Sequence, residues 1–90
     1  MGVCEATVQV MNKVGLHARP AVVFVQTARK FKSNILVEKL GRRANSKNLL
    51  EILALDICYG YLIKIIAEGE DAEVAIKELV DTIKRLSRDS

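Results

Sequence analysis

The sequence predicts an α+β protein, an open-faced β-sandwich in which helices cover one face of an antiparallel or mixed sheet. Three observations favour this fold. The hydrophobic pattern switches between a period of about 2 and a period of about 3.6 residues, which gives the element order β-α-β-β-α-β-α. A hairpin signal in the middle of that order makes neighbouring strands antiparallel. The 90 residues contain no internal repeat, linker or low-complexity segment, so we expect a single domain over residues 1–90.

A strand and a helix come first. Residues 6–10 alternate apolar and polar side chains, as in a strand with one buried face. From Ala18 the apolar residues recur at helical spacing as far as Phe31. Pro20 falls in the first turn of this helix, where a missing N–H costs nothing. Three cations are expected in its last turn, where they would complement the helix dipole: Arg29, Lys30 and Lys32.

The middle of the chain predicts a hairpin and a short helix. Residues 34–39 read as a strand, and a second short strand begins at Arg42 after a turn at residues 40–41. Residues 49–55 predict a short and unusually apolar helix. Two side-chain oxygens are placed to cap that helix, those of Asn45 and Ser46.

The last third of the chain predicts one more strand and one more helix. Residues 61–67 are rich in β-branched side chains. Asp71 is expected to cap the final helix. The inner face of this helix is expected to carry Ala72, Ile76, Leu79, Val80, Ile83 and Leu86.

Composition excludes several classes of protein. No apolar run approaches the roughly 20 residues that span a bilayer, and no signal-peptide pattern is visible. We therefore expect no membrane insertion and a cytoplasmic location. Cys4 and Cys58 belong to no metal-type motif, so free thiols in a reducing compartment are expected.

Basic residues are concentrated in the first half of a chain whose net charge is +3. Such a balance suits an acidic surface, either of a protein or of a nucleic acid. A nucleic-acid platform needs stacking aromatics, and two Phe, two Tyr and no Trp are too few for one. We therefore expect an acidic protein partner. Seven of the basic residues lie between positions 29 and 47, namely Arg29, Lys30, Lys32, Lys39, Arg42, Arg43 and Lys47.

The segment 14–21 is the candidate site, because it places the only histidine of the chain where a turn becomes a helix. The free N–H groups and the dipole at a helix N-terminus favour an anion, above all phosphate. His17 adds a nucleophilic ring nitrogen and Arg19 adds a fixed positive fork. We expect no metal, because no other His and no Cys, Asp or Glu constellation accompanies His17, and we expect no cofactor.

The segment 15–21, Gly-Leu-His-Ala-Arg-Pro-Ala, resembles the active-site signature of HPr, the histidine phosphocarrier of the bacterial sugar phosphotransferase system. The resemblance implies three helices over a four-stranded antiparallel sheet. It also implies phosphorylation of His17 at Nδ1 by enzyme I and transfer to a sugar-specific IIA component. Arg19 would be the phosphate partner, and the backbone of Ala18 and Arg19 would bind the phosphoryl oxygens. The likeness extends to segments 24–26, 38–41, 45–47 and 68–71.

The same resemblance implies a partner surface on the first two helices. An apolar helix as short as 49–55 cannot bury every side, and exposed apolar surface usually marks a docking site. A carrier that presents one site to two partners is expected to be a monomer and not itself an enzyme. The residues carried over by position are Ala18, Val22, Gln26, Arg29, Asn48, Leu49, Leu50 and Leu53.

One position departs from the family pattern. Many relatives hold a regulatory serine in an Asn-x-Lys-Ser arrangement, and Asn48 occupies that position here. Ser46 lies two positions too early and is a weak candidate. We therefore expect the branch through HPr kinase and a catabolite-control regulator to be absent or altered. The alternative function is that of a regulatory HPr-like protein, which acts by binding a transcription factor or enzyme rather than by carrying phosphate.

Overall fold

The computed structural model describes residues 2–88 and confirms the α+β class and the predicted order of elements. Four strands form one antiparallel sheet in the order β1-β4-β2-β3. The elements are β1 (Gly2–Gln9), α1 (Ala18–Ala28), β2 (Asn34–Lys39), β3 (Arg42–Asn45), α2 (Leu49–Ala54), β4 (Leu62–Gly69) and α3 (Ala72–Arg88). No helix in the described part of the chain is long and apolar enough to cross a bilayer.

Alternation along the strands makes one face of the sheet apolar. Val37 of β2 lies opposite Ile65 of β4, and Ile35 lies opposite Ala67; all four are buried. Because successive side chains point to opposite faces, these residues share the face that the helices cover. The other face is more polar, and Lys64 approaches within 4.0 Å of a carboxylate of β1 there.

Helix α1 contributes Phe24, the largest fully buried side chain, and α3 contributes Leu79 and Ile83. Ala75 and Thr82 of α3 are buried as well, although the predicted inner face omitted them, whereas Val80 and Leu86 are only half-buried. Each residue turns an α-helix by about 100°, so the neighbours of the central stripe sit at its edge. The fully buried core comprises Val10, Leu16, Phe24, Ile35, Val37, Ile52, Ile57, Ile63, Ile65, Leu79 and Ile83.

Three element boundaries differ from the sequence prediction. Strand β1 begins at Gly2 rather than at residue 6, because it pairs with β4 along its whole length, from Gly2 opposite Gly69 to Gln9 opposite Leu62. Strand β4 correspondingly runs to Gly69. Helix α1 ends at Ala28, with no basic residue in its last turn. The three cations predicted for that turn lie beyond it, Arg29 at the C-cap and Lys30 and Lys32 in the loop.

The two predicted caps also differ in detail. The N-cap of α2 is Asn48, whose side chain accepts a hydrogen bond from the Glu51 N–H at 3.2 Å, rather than Asn45 or Ser46. Asp71 does stand before α3, and its carbonyl accepts the Ala75 N–H. Its carboxylate instead crosses to the loop after α1.

The carboxylate of Asp71 accepts from the N–H groups of Lys32 and Ser33 and from the Ser33 hydroxyl. The Ser33 hydroxyl, followed by the Lys32 N–H, lowers the pKa of this carboxyl below its ordinary value. Asp71 therefore ties the end of the α1 segment to the start of α3.

Candidate functional site

The loop between β1 and α1 is held in one shape by its own hydrogen bonds. The Asn12 amide donates to the Gly15 carbonyl at 2.6 Å, and the Gly15 N–H donates back to the Asn12 carbonyl at 3.0 Å. Leu16 is fully buried, and its N–H donates to the Ile57 carbonyl at 2.9 Å. Gly15 has a φ of +70°, and a Cβ there would lie 2.2 Å from that same carbonyl oxygen. Only glycine therefore permits this close approach.

His17 stands at the N-cap of α1 in an extended conformation and makes no side-chain cap. Its side chain is 34% exposed, so the ring is reachable from solvent. Nε2 lies 3.2 Å from Oδ1 of Asp56. A carboxylate this close favours the neutral tautomer that has its hydrogen on Nε2, and that tautomer carries its lone pair on Nδ1. Nδ1 is therefore the ring nitrogen with a free lone pair.

The first two residues of α1 are arranged for an anion. Ala18 is exposed and has a φ of +50°, a left-handed conformation that costs about 1–2 kcal/mol for a residue with a Cβ. The backbone N–H groups of Ala18 and Arg19 have no acceptor among residues 2–88. The exposed guanidinium of Arg19 likewise has no partner among the described residues and borders a groove between α1 and α3. The two N–H groups directly follow His17 in the chain, whereas the Arg19 side chain lines a groove together with Thr82 and Arg85 of α3.

Asp56 and Cys58 complete the surroundings of the ring, and sequence reasoning missed both. The Cys58 sulfur lies 4.0 Å from Nε2 of His17 and 3.7 Å from Oδ1 of Asp56. The expectation that no Cys, Asp or Glu accompanies His17 is therefore wrong in space, although it holds along the chain. The available signal was strand pairing: β1 runs antiparallel to β4, so the loop after β1 meets the loop before β4.

Lys39 fixes the position of the loop before β4, which contains Asp56. Its side chain is buried, its ammonium donates to the Asp56 carbonyl at 3.0 Å, and it lies 4.8 Å from the Tyr61 ring centroid. Asp56 itself has a φ of +53°, which Asp tolerates better than most residues. The cation thus anchors a turn that presents a carboxylate to His17.

The predicted basic surface is smaller than the sequence indicates. Lys39 is buried, and the ammonium of Lys47 donates to the Phe31 carbonyl at 2.6 Å. Arg43 forms a 2.8 Å ion pair with Glu38, and this hydrogen bond lowers the pKa of the Glu38 carboxyl. Long side chains that meet acceptors within the fold add less to the field at the surface.

The residues predicted to bind partners lie on two helices in contact with one another. The Arg29 guanidinium donates to the Lys47 carbonyl at 2.9 Å and joins the end of α1 to the start of α2. Leu50 is 78% exposed, whereas Leu49 and Leu53 are half-buried against the core. Their role in binding stays a prediction. The exposed members of the predicted set are Ala18, Val22, Gln26, Arg29, Asn48 and Leu50.

The region of the predicted regulatory serine carries no accessible hydroxyl. Ser46 is fully buried, and its Oγ has no hydrogen-bond partner among the described residues. Asn48 is exposed at the N-cap of α2. A kinase would have to unfold this segment to reach Ser46.

Comparisons with known proteins agree with the fold and the motif. Residues 4–85 match the family described as PTS HPr component phosphorylation site. Among curated relatives, the HPr-like protein Crh of Halalkalibacterium halodurans is 41% identical over 81 residues, covering 90% of this chain and 96% of Crh. The phosphocarrier protein HPr of Borreliella burgdorferi is 39% identical over 80 residues, covering 89% of this chain and 91% of that protein.

Solved structures give the same result. The crystal structure of HPr-C-His from Thermoanaerobacter tengcongensis superposes with a TM-score of 0.93 at 47% identity, covering 97% of this chain and 98% of the other. A Crh of Bacillus subtilis, described as a swapped dimer, superposes with a TM-score of 0.74 at 37% identity, covering 87% of this chain and 90% of the Crh chain. The match over nearly the whole length, together with the phosphorylation-site motif, places this chain in the HPr family.

Proposed function

We propose that this protein is a phosphocarrier, which accepts a phosphoryl group on Nδ1 of His17 from phospho-enzyme I and passes it to a sugar-specific IIA component. The observation that carries the proposal is the 3.2 Å contact between Nε2 and the Asp56 carboxylate. A carboxylate beside Nε2 favours the tautomer with its hydrogen on Nε2, which leaves the lone pair of Nδ1 free at the N-terminus of α1.

The transfer balances without releasing a proton. The Nδ1 lone pair attacks phosphorus in line with the donor P–N bond, and the electron pair of the broken bond stays on the donor nitrogen. Nε2 of His17 keeps its hydrogen, so the imidazole ring gains a positive charge as the new P–N bond forms. The Asp56 carboxylate lies next to that charge and stabilises it.

The phosphoryl oxygens would be held by the backbone N–H groups of Ala18 and Arg19 and by the Arg19 guanidinium. All three donors lack a partner among the described residues. A helix N-terminus supplies partial positive charge at the same place. An exposed site with few donors suits a carrier, because a phosphoryl group bound too tightly would be slow to leave.

Partners would dock on α1 and α2 around the exposed Leu50 and Arg29. A small apolar patch with a cationic rim favours short-lived complexes with acidic proteins. The protein would act stoichiometrically and as a monomer, with catalysis supplied by its partners.

Regulation by binding is the second candidate, because a close relative is named as the HPr-like protein Crh. The version of that role which depends on serine phosphorylation is disfavoured here. Asn48 has no hydroxyl, and the nearest serine hydroxyl, that of Ser46, is buried.

The test is labelling with radioactive phosphoenolpyruvate and enzyme I. We expect one acid-labile, base-stable phosphate per chain, located to His17 by mass spectrometry. Because the chain contains one histidine, His17→Ala must abolish the label. Circular dichroism of that variant provides the folding control. Stable label on His17→Ala, or no label on the wild-type chain, would exclude the carrier function.

A further inference from the structure

We propose that His17, Asp56 and Cys58 form a binding site for a zinc ion. The three potential ligand atoms are Nε2, Oδ1 and Sγ, and they lie within 4.8 Å of one another. Nitrogen, carboxylate oxygen and sulfur are the ligands from which protein zinc sites are built. The residues come from two loops that are fixed independently of any ion.

The separations between these atoms are close to those in a tetrahedral zinc site. Bond lengths of roughly 2.0–2.3 Å at tetrahedral angles place neighbouring ligand atoms about 3.3–3.6 Å apart. Nε2 and Oδ1 are 3.2 Å apart, Oδ1 and Sγ are 3.7 Å apart, and Nε2 and Sγ are 4.0 Å apart. Movements of a few tenths of an ångström, within reach of side-chain rotation, would bring all three to one ion.

The surrounding structure preorganises this triangle. The Lys39 ammonium holds the Asp56 backbone, and the hydrogen bond from the Leu16 N–H to the Ile57 carbonyl joins the residue before His17 to the residue between Asp56 and Cys58. Asp56 and the thiolate of Cys58 together cancel the charge of a divalent ion. The Asp56 side chain is 73% exposed, so the ion has an entry path and a fourth position open to water.

Zinc bound at Nε2 would prevent phosphoryl acceptance, because it moves the hydrogen of the imidazole ring to Nδ1. This consequence rests on the proposed function. Zinc takes the lone pair of Nε2, and the hydrogen of the neutral ring then resides on Nδ1. Nδ1 has no lone pair left to attack phosphorus. The Cys58 thiol meanwhile loses its proton to solvent on becoming a ligand. Zinc would therefore act as a reversible inhibitor of the carrier.

Direct binding is tested by calorimetric titration of the chelator-treated protein with zinc chloride, together with cobalt(II) titration followed by thiolate-to-metal charge-transfer absorption. We expect one equivalent per chain. Cys58→Ser and Asp56→Asn should each weaken binding at least tenfold and Cys58→Ser should remove the charge-transfer band. Cys4→Ser is the matched control, because Cys4 lies on β1 opposite Ala67 and outside the cluster. Circular dichroism of each variant checks its fold.

Three outcomes would overturn the site. They are no saturable zinc binding by the wild-type chain, unchanged zinc affinity in both Cys58→Ser and Asp56→Asn, or an equal loss of zinc affinity in Cys4→Ser and Cys58→Ser. The functional consequence is measured separately, as the ratio of phosphorylation rates with and without one equivalent of zinc. This ratio should fall at least tenfold for the wild-type chain and Cys4→Ser, and stay near one for Cys58→Ser. Equal inhibition of all three would place the effect of zinc on enzyme I. A chain that binds zinc but never accepts phosphate would refute the carrier function alone.

Discussion

Replacing Gly15 by alanine tests whether the loop before α1 is locked against the loop before β4. The added Cβ would lie 2.2 Å from the Ile57 carbonyl oxygen and 2.9 Å from the Cys58 Cα. Both obstacles are backbone, so neither can rotate away. The φ of +70° adds strain for any residue with a Cβ, about 1–2 kcal/mol.

The magnitude follows from what must move. Relieving the overlap separates the loops and breaks the 2.9 Å hydrogen bond from the buried Leu16 N–H to Ile57, for about 0.5–1.5 kcal/mol more. We expect Gly15→Ala to lower the free energy of unfolding by about 1.5–3.5 kcal/mol in total. Gly41→Ala is the matched control, since Gly41 has a φ of +80° and a Cβ added there would meet nothing within 4 Å. It should lose only the strain, about 1–2 kcal/mol.

Urea unfolding followed by circular dichroism measures both variants. With an m-value of about 1–2 kcal/mol/M, the midpoint of Gly15→Ala should lie about 0.3–1.5 M below that of Gly41→Ala. Equal midpoints for the two variants would refute the close approach of the loops, and with it the reason for the positions of Asp56 and Cys58.

Three further substitutions probe the site, the fold and the partner surface. Asp56→Asn removes the charge beside Nε2 and should slow phosphorylation of His17 about twofold to fivefold, as expected for a largely exposed carboxylate, whereas Glu5→Gln on β1 should not. Equal initial rates for wild type and Asp56→Asn would contradict the role of Asp56. Asp71→Asn should destabilise the fold above about pH 4. The pKa of Asp71 is lowered in the folded state, so its contribution to stability is lost as pH falls through that pKa, and the difference between the variant and wild type should vanish in acid. Urea midpoints measured between pH 2 and 7 check this. Arg29→Glu should slow transfer from enzyme I at low salt and less at high salt, and a deficit that is the same at both ionic strengths would exclude electrostatic steering.

Local sequence patterns were sufficient for the fold because each element carries its own signal. Pro20 and the apolar spacing after it indicated α1, and a turn at residues 40–41 indicated the hairpin. Both turn residues have a positive φ, which matches the twist of a tight hairpin. The ends of β1 were less predictable, because ladder hydrogen bonds depend on the partner strand rather than on side-chain alternation.

Tertiary contacts decided the details that the sequence could not supply. Asp71 has the right residue type and position for a cap, yet its carboxylate bonds to the loop at residues 32–33. Lys39 reads as a surface cation, yet its ammonium is used by the Asp56 carbonyl. The Asp71 carboxylate could accept from the helix N–H groups or from a distant loop, and the Lys39 ammonium could face water or a distant carbonyl, so only the folded chain decides between these partners.

The candidate site shows most clearly which contacts the local sequence predicts and which depend on tertiary structure. Gly15, His17 and Arg19 are adjacent in sequence and predictable as an anion site, whereas Asp56 and Cys58 reach the ring only through the pairing of β1 with β4. Under the proposed function and the proposed zinc site, that pairing would give Nε2 two mutually exclusive states: it would hold the ring hydrogen beside Asp56, which leaves the Nδ1 lone pair for phosphorus, or it would bind zinc, which places the hydrogen on Nδ1. A neutral imidazole has one lone pair, so the position of a single proton would decide between phosphoryl acceptance and metal binding.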